Sequence, residues 1–321
     1  MAWPASLRAW LTRRQRNLRR LSFVTEPPAF PLLSRYGRSM NPSQAQPHLD
    51  DNRRHPWTRF VALGDSFTEG IGDPMPDAPG GHRGWADRVA EELSHDTPDF
   101  AYANLAIRGR LYKDIVAEQV EPAIALKPDL ISFFAGGNDV IRRGDPDRIA
   151  HDLDDAIGRL AATGASIILW TGPDIGTTPV LNLIRGRVAI YNENMRTIAK
   201  RYGTYVVDLW SMHNLAADPM WADDRLHFSP LGHHTIAIEV LNTLGVEHSL
   251  HPHEVRSLPP KTWREARAED LVWARTHLAP WMMRRLRGQS SGDAVRPKRP
   301  VAGPVFGAPM PPGSASFEHE D

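Results

Sequence analysis

The 321-residue chain contains no cysteine. It therefore offers no disulfide framework, no thiolate zinc site and no cysteine nucleophile. It also lacks an excess of charge of either sign, because 38 Lys and Arg residues balance 38 Asp and Glu residues. This balance argues against a nucleic-acid partner, since proteins that bind nucleic acid usually carry a basic surface. Any covalent chemistry must use a side chain other than cysteine.

Long apolar runs are missing as well. The sequence has no uninterrupted apolar stretch of transmembrane length, and no run of signal-peptide length follows the arginines near the N-terminus. Together with the absence of cysteine, this composition favours the cytoplasm. We therefore expect a cytoplasmic protein.

Residues 1–56 predict a basic, flexible N-terminal extension. Between residues 3 and 21 apolar side chains recur at near-helical spacing, and arginines fill many of the positions between them. One interpretation is a weak contact between a basic amphipathic helix and a membrane surface. A second interpretation is that translation starts at Met40, so that residues 1–39 do not belong to the functional protein. The sequence leaves both interpretations open.

Residues 57–246 alternate short apolar strands with longer helical stretches. This rhythm predicts a three-layer α/β/α sandwich with a five-stranded parallel sheet that helices cover on both faces. The predicted strands are residues 59–63, 100–106, 130–135, 166–171 and 205–209. The predicted helices are residues 84–93, 112–125, 147–162, 187–202 and 230–244.

The C-terminal part differs from this pattern. Residues 247–287 predict a helical extension that packs on the domain, with its main helix over 261–287. Residues 288–321 are rich in Gly, Pro and Ser and lack apolar periodicity, which is typical of a disordered tail.

Polar motifs follow four of the predicted strands. Ser66 follows the first strand, Gly109 lies after the second, Asn138 follows the third, and Asp224 and His227 come after the fifth. Because the carboxyl ends of parallel strands share one edge of a sheet, we expect these side chains to converge there. The loops at the same edge, residues 71–85, 107–113, 140–143 and 173–187, are the expected walls of a pocket.

These residue types are the ones that ester hydrolysis requires. A serine hydroxyl such as that of Ser66 is a weak nucleophile until a base takes its proton, and the imidazole of His227 is the candidate base. Asp224 precedes His227 by three residues and can orient its ring. Candidate donors to the oxyanion are the backbone N–H groups of Ser66 and Gly109 and the side-chain amide of Asn138. The predicted chemistry needs no metal and no organic cofactor.

The same motifs resemble the sequence blocks of the SGNH hydrolase superfamily, the GDSL-type esterases and lipases. The blocks are Gly64-Asp65-Ser66, Asn104-Leu-Ala-Ile-Arg-Gly109, Gly136-Gly-Asn138-Asp139 and Asp224-Arg-Leu-His227. The chain departs from the family at Phe67, where leucine is usual, and at Phe228, where proline usually follows the histidine. The departure at Phe228 puts no catalytic atom in doubt.

The resemblance implies the flavodoxin-like fold of that superfamily and a set of roles. It implies Ser66 as nucleophile, His227 as base and Asp224 as the partner of the base. It also implies an oxyanion hole made by Ser66, Gly109 and Asn138. Asp65 is expected to brace the turn before the nucleophile.

The sequence thus predicts a serine esterase that acts on a small-molecule or lipid ester. The expected substrates are esters of short-chain acids, acetylated sugars or lipids. An acyltransferase that uses the same site and passes the acyl group to another alcohol is one alternative. A non-catalytic module that binds a ligand or tethers to a membrane is the other.

Overall fold

The computed structural model describes residues 55–176, 181–254, 267, 272–278, 280, 283 and 290–306. Residues 1–54 of the predicted N-terminal extension lie outside these ranges, as do most of the predicted helix over 261–287 and the last part of the predicted tail.

The five predicted strands form a parallel sheet. Their bounds are β1 Arg59–Leu63, β2 Ala101–Asn104, β3 Leu130–Phe133, β4 Ser166–Trp170 and β5 Tyr205–Val207, and a further strand, β6, spans Arg299–Gly303. Within the described residues the sheet therefore has six strands, in the order β5-β4-β3-β1-β2-β6. The pairs among β1 to β5 are all parallel, which confirms the predicted fold class.

The helices lie on both faces of this sheet. Their bounds are α1 Ser66–Glu69, α2 Gly84–Ser94, α3 Tyr112–Ala125, α4 Gly137–Ile141, α5 Pro146–Ala161, α6 Arg185–Tyr202 and α7 Pro230–Leu244. Short 3-10 turns span Pro79–Gly81, Leu181–Ile184, His213–Ala216 and Asp218–Met220, and a π-helical turn spans Ala274–Leu278. No helix in the described part of the chain is long and apolar enough to span a bilayer.

The core consists of two apolar layers, one on each side of the sheet. Val61 and Leu63 of β1 pack with α3, α5 and α6, whereas Phe60 and Ala62 pack with α2 and α7. Successive strand side chains point to opposite faces, so the continuous apolar run of β1 supplies both layers. This arrangement is the predicted three-layer sandwich, and it fixes the strand ends from which the polar motifs project.

The start of α7 places the last motif. The hydroxyl of Ser229 accepts a hydrogen bond from the backbone N–H of Gly232, and Pro230 occupies the first helical turn. Both are favourable at a helix N-terminus, because the hydroxyl satisfies a free N–H and proline has none to leave unpaired. The chain before Ser229 forms a tight loop that is closed by the hydrogen bond from the backbone N–H of Ala222 to the carbonyl of His227 at 2.8 Å, so His227 lies at the end of this loop.

The predicted disordered tail is wrong for residues 290–306. This segment contains β6, which pairs antiparallel with the edge strand β2, with Gly303 opposite Tyr102. The ammonium group of Lys298 is buried and forms an ion pair with Asp87. Composition alone could not reveal this strand, because its partners lie about two hundred residues earlier in the chain. The predicted five-stranded sheet thus gains a sixth strand.

Candidate active site

Ser66 begins the single-turn helix α1 directly after β1. The carboxylate of Asp65 caps this helix, since its Oδ1 accepts the backbone N–H of Phe67 at 3.1 Å. The expectation that Asp65 braces the turn is confirmed. The cap places Ser66 at the helix N-terminus, where the backbone N–H groups have no partner within the helix.

A chain of hydrogen bonds joins three of the predicted residues. The hydroxyl Oγ of Ser66 lies 3.0 Å from Nε2 of His227, and Nδ1 of His227 lies 2.6 Å from Oδ2 of Asp224. The second carboxylate oxygen of Asp224 accepts the backbone N–H groups of Leu226 and His227 at 2.9 and 3.0 Å. Both oxygens of Asp224 are thus engaged, which fixes the plane of the carboxylate against the imidazole.

The same contacts set the charge of Asp224. Burial raises the pKa of this carboxyl, but the hydrogen bond and charge of His227 and the two backbone N–H groups outweigh it and lower the pKa to about 2. Asp224 is therefore ionised at neutral pH. An ionised partner can stabilise the imidazolium that forms when His227 accepts a proton.

Asn138 lies in α4, the short helix that follows β3. Its side-chain Nδ2 donates to Oδ2 of Asp65 and to the backbone carbonyl of Arg110, both at 3.0 Å. Both hydrogens of the amide are therefore engaged, and donation to an oxyanion requires that one of them be shared or exchanged. The amide connects the turn before Ser66 to the loop that contains Gly109.

That loop is held from the other side by α1. The buried carboxylate of Glu69 accepts the backbone N–H of Arg108 at 2.6 Å and the Nε–H of its guanidinium at 2.9 Å. No motif in the sequence marks Glu69 as a residue of the site. Glu69 lies three residues after Ser66, but its partner Arg108 follows a different strand. Only the folded structure shows that the two side chains meet.

Asp65 is the most strongly perturbed carboxyl beside Ser66. Burial raises its pKa to about 7, although the N–H of Phe67 and the charge of His227 act in the opposite direction. The neighbouring carboxylates of Asp139 and Glu69 raise it further. Asp65 therefore exchanges a proton near neutral pH while it accepts the amide of Asn138.

An apolar cavity of about 140 Å³ adjoins Ser66, Asn138 and His227. Its apolar walls include Phe134, Val140, Ile175, Leu181, Ile184 and Val188. Two of the loops expected to line a pocket, 140–143 and 173–187, contribute to it, as does Ile71 at the start of a third. Among the described residues, no three His, Asp or Glu side chains are grouped so that they could hold a metal ion.

A residue of the C-terminal region also contacts the site. The indole Nε1–H of Trp273 donates to the backbone carbonyl of Asp224 at 2.8 Å, and the guanidinium of Arg225 lies 5.4 Å from the centre of the Trp273 ring. Arg225 adopts a left-handed backbone conformation, with φ of 54°. Trp273 thus packs behind the turn that joins Asp224 to His227. The sequence contained no signal for this contact.

Proteins that are similar to this chain include acetylxylan esterases. The acetylxylan esterase of Geobacillus stearothermophilus is 26% identical over 209 residues, which cover 59% of this chain and 94% of that protein. The structure of a variant of an acetyl xylan esterase from the same organism aligns with a TM-score of 0.50 and 26% identity, over 62% of this chain and 97% of that one. A variant of an acetyl-xylooligosaccharide esterase from Geobacillus aligns with a TM-score of 0.50 and 25% identity, over 59% and 95%.

The sequence profile of the GDSL-like lipase/acylhydrolase family matches residues 62–235, which is more than half of the chain. The matched range begins in β1 and ends in α7, so it contains all four polar motifs. The resemblance to the SGNH hydrolase superfamily is therefore confirmed. The chain belongs to the GDSL-like lipase/acylhydrolase family and is a carboxylic ester hydrolase.

Proposed function

We propose that this esterase uses Ser66, His227 and Asp224 in a two-step acyl-enzyme mechanism. The observation that carries the proposal is the continuous hydrogen-bonded chain from the Ser66 hydroxyl through His227 to Asp224, beside an apolar cavity. A hydroxyl, a base and an ionised orienting carboxylate in this order are what activation of a serine requires.

In the first step Nε2 of His227 takes the hydroxyl proton while Oγ of Ser66 attacks the ester carbonyl. The tetrahedral intermediate collapses, the bond to the alcohol oxygen breaks, and His227 gives its proton to the leaving alcohol. In the second step His227 takes a proton from water, which attacks the acyl-enzyme. The bond between the acyl carbon and Oγ of Ser66 then breaks, His227 returns the proton to Oγ, and the carboxylic acid leaves. Asp224 holds the ring and its developing positive charge throughout.

The oxyanion needs donors that are aimed before the reaction starts. We assign this role to the backbone N–H groups of Ser66 and Gly109 and to the amide of Asn138. The amide of Asn138 is held between Asp65 and the carbonyl of Arg110, so it is already ordered at the site. To donate to the oxyanion, the amide exchanges one of these two hydrogen bonds, and removing such a donor typically lowers turnover by about 10²–10³-fold.

Reaction with a fluorophosphonate probe and turnover of a nitrophenyl ester test the mechanism together. Ser66→Ala is expected to abolish labelling and to lower turnover by at least about 10³-fold, and His227→Ala by nearly as much. Ser211→Ala removes an exposed hydroxyl and is the matched control. Labelling of the Ser66→Ala protein would remove this residue from the mechanism, and a folded native protein that neither reacts nor turns over would favour a binding module.

The cavity suggests which acyl group is bound. A 150 Å³ apolar cavity is large enough for about one benzene ring, and the cavity beside Ser66 measures about 140 Å³. An acetyl group would leave most of this space empty, whereas a chain of about four to eight carbons would replace water along apolar walls. We therefore infer that medium-length aliphatic esters are better substrates than acetates.

A series of nitrophenyl esters from acetate to dodecanoate tests this inference. We expect kcat/KM to be highest between about four and eight acyl carbons, because each methylene buried in an apolar pocket contributes about 0.8 kcal/mol. A maximum at acetate would contradict it. Adding a primary alcohol to the same assays measures how much acyl group is transferred to an acceptor other than water.

A further inference from the structure

The C-terminal segment 290–306 reaches the loop of the proposed oxyanion donor Gly109. This segment lies outside the residues that the family profile matches. Its strand β6 pairs with β2, the strand that leads into that loop. The carboxylate of Asp293 forms an ion pair with the guanidinium of Arg110 at 3.6 Å. A part of the chain beyond the family core is thus in direct contact with an active-site loop.

The contact is close on both sides. A Cβ atom added to Gly292 would lie well under 3.0 Å from the backbone carbonyl oxygen of Arg108, which is closer than Cβ atoms approach other heavy atoms in proteins. A Cβ added to Gly109 would meet the hydroxyl of Ser290 in the same way, and Gly109 has a φ of 76°, in the left-handed region. At Gly292 the two backbones therefore approach each other more closely than a side chain would allow, and at Gly109 the side chain of Ser290 occupies the space of a Cβ.

The position of this contact connects it to the proposed chemistry. The carbonyl of Arg108 and the N–H of Gly109 belong to the same peptide group. A trans peptide is planar, so these two groups point in opposite directions from one rigid plane. Gly292 therefore packs against the carbonyl side of the peptide group between Arg108 and Gly109. The N–H on the opposite side of this group is the proposed oxyanion donor. Displacing the carbonyl must rotate the N–H.

We propose that Gly292 and Ser290 are positioning residues that set the direction of the Gly109 N–H. This inference rests on the proposed function of Gly109. Glu69 holds the preceding peptide through the N–H of Arg108, and the C-terminal segment holds the next one. An oxyanion exists only after the substrate has been attacked, so misdirecting its donor lowers kcat and leaves KM nearly unchanged.

The segment is anchored independently of this contact. The buried ammonium group of Lys298 pairs with Asp87 and donates to the backbone carbonyls of His82 and Arg83 at 3.0 and 3.1 Å. Val305 is buried in the core layer formed with α2 and α7. A small change at Gly292 is therefore expected to shift the contact locally while β6 stays in the sheet.

Gly292→Ala tests the proposal, with Gly303→Ala in the same segment as its matched control. A Cβ at Gly303 has open space around it, with no atom within 4 Å, and neither glycine needs a left-handed conformation. For a nitrophenyl ester, Gly292→Ala should lower kcat by about tenfold or more, since displacing a donor by about 1 Å is costly. Its KM should stay within about threefold, and Gly303→Ala should match the native protein in both. Active-site titration with a fluorophosphonate gives kcat per competent site.

Equal kcat per competent site in the two alanine variants would overturn the proposal. A loss that disappears after active-site titration would do so as well, because it would show only fewer folded molecules. If Gly292→Ala does not fold, Ser290→Ala removes the hydroxyl against Gly109, and it should still lower kcat about threefold or more at unchanged KM; native kinetics there would reject the proposal. Failure of the proposed function is distinguishable, because Ser66→Ala would then remain active.

Discussion

The carboxylate of Asp65 accepts a hydrogen bond from the side-chain amide of Asn138 at 3.0 Å. Asp65 is the neighbour of the proposed nucleophile, and Asn138 is a proposed oxyanion donor. An ionised carboxylate binds an amide hydrogen more strongly than a protonated one does. Because burial raises the pKa of Asp65 to about 7, the strength of this bond changes near neutral pH.

Replacing Asp65 by asparagine should change how stability depends on pH. The folded pKa of about 7 lies above the ordinary value of 3.8, so the folded protein binds this proton more tightly than the unfolded chain. The free energy of unfolding therefore falls as pH rises from about 4 to about 7. The Asp65→Asn protein does not undergo this loss of stability. The difference between its melting temperature and that of the native protein should therefore increase with pH over that window. Asp155→Asn, on the exposed surface of α5, is the control, and parallel curves for native protein and Asp65→Asn would rule out the effect.

Asp224→Asn should lower kcat by about 10³–10⁴-fold with little change in KM. Asparagine keeps the shape of the side chain but loses the charge that stabilises the imidazolium and selects the tautomer of His227. Steady-state kinetics at pH 7.5 would measure the loss. The adjacent Asp223 is exposed, and Asp223→Asn should behave like the native enzyme. If the kcat of the Asp224→Asn enzyme were within tenfold of the native value, this carboxylate would be excluded from the mechanism.

Glu69→Gln should destabilise the fold by about 1–3 kcal/mol, because it leaves the guanidinium of Arg108 without its buried counter-charge. Urea denaturation measures the change in the free energy of unfolding. Glu118→Gln provides the comparison, since Glu118 pairs with Arg110 at the surface with 42% of its side chain exposed. Exposed pairs contribute at most about 1 kcal/mol. Equal costs for the two variants would mean that burial of Glu69 adds nothing.

Trp273→Phe should weaken the support of the turn between Asp224 and His227. Phenylalanine keeps an aromatic ring beside Arg225 but cannot donate to the carbonyl of Asp224. We expect a loss of about 1 kcal/mol in unfolding free energy and a lower kcat. The exposed neighbour Val272 supplies the control Val272→Ala. Native kinetics and stability in Trp273→Phe would show that the hydrogen bond is dispensable.

Val188→Phe should shift substrate preference toward short acyl groups. Val188 lines the cavity from α6, and a larger ring there reduces the volume available to an acyl chain. We expect kcat/KM for a hexanoate to fall by about tenfold or more and that for an acetate to change little, because one methylene gained or lost in an apolar pocket changes transition-state binding by about 1–3 kcal/mol. Ile190→Phe on the exposed side of the same helix is the control. Equal losses for both esters would argue that acyl chains bind elsewhere.

The convergence of the polar motifs could be predicted because it follows from topology. Parallel strands bring the residues after each strand to one edge, whatever the details of the loops. Ser66 and His227, which are far apart in sequence, therefore come within hydrogen-bond distance as expected. The start of α7 was equally predictable, because Ser229 and Pro230 are a local signal.

Contacts between distant segments could not be predicted from local patterns. Nothing in the neighbourhood of Gly292 indicates that it packs on Arg108, and nothing near Glu69 identifies the same partner. The single-turn helices α1 and α4 were also missed, because four or five residues are too few to show a helical period. The bonds of the Asn138 amide depend on three separate turns, so they emerge only once the fold is assembled.

The sixth strand also affects how this sheet meets other molecules. Without β6, the outer side of β2 would present unpaired N–H and C=O groups, and such an edge is a template for pairing with another chain. β6 covers it, with a register irregularity between Tyr102 and Asn104, and β6 contains Pro300, which has no N–H to donate. An irregular edge strand that contains proline is itself a poor template for pairing with a strand of another chain. The segment that contacts the Gly109 loop therefore also covers the β2 edge of the sheet against pairing with another chain.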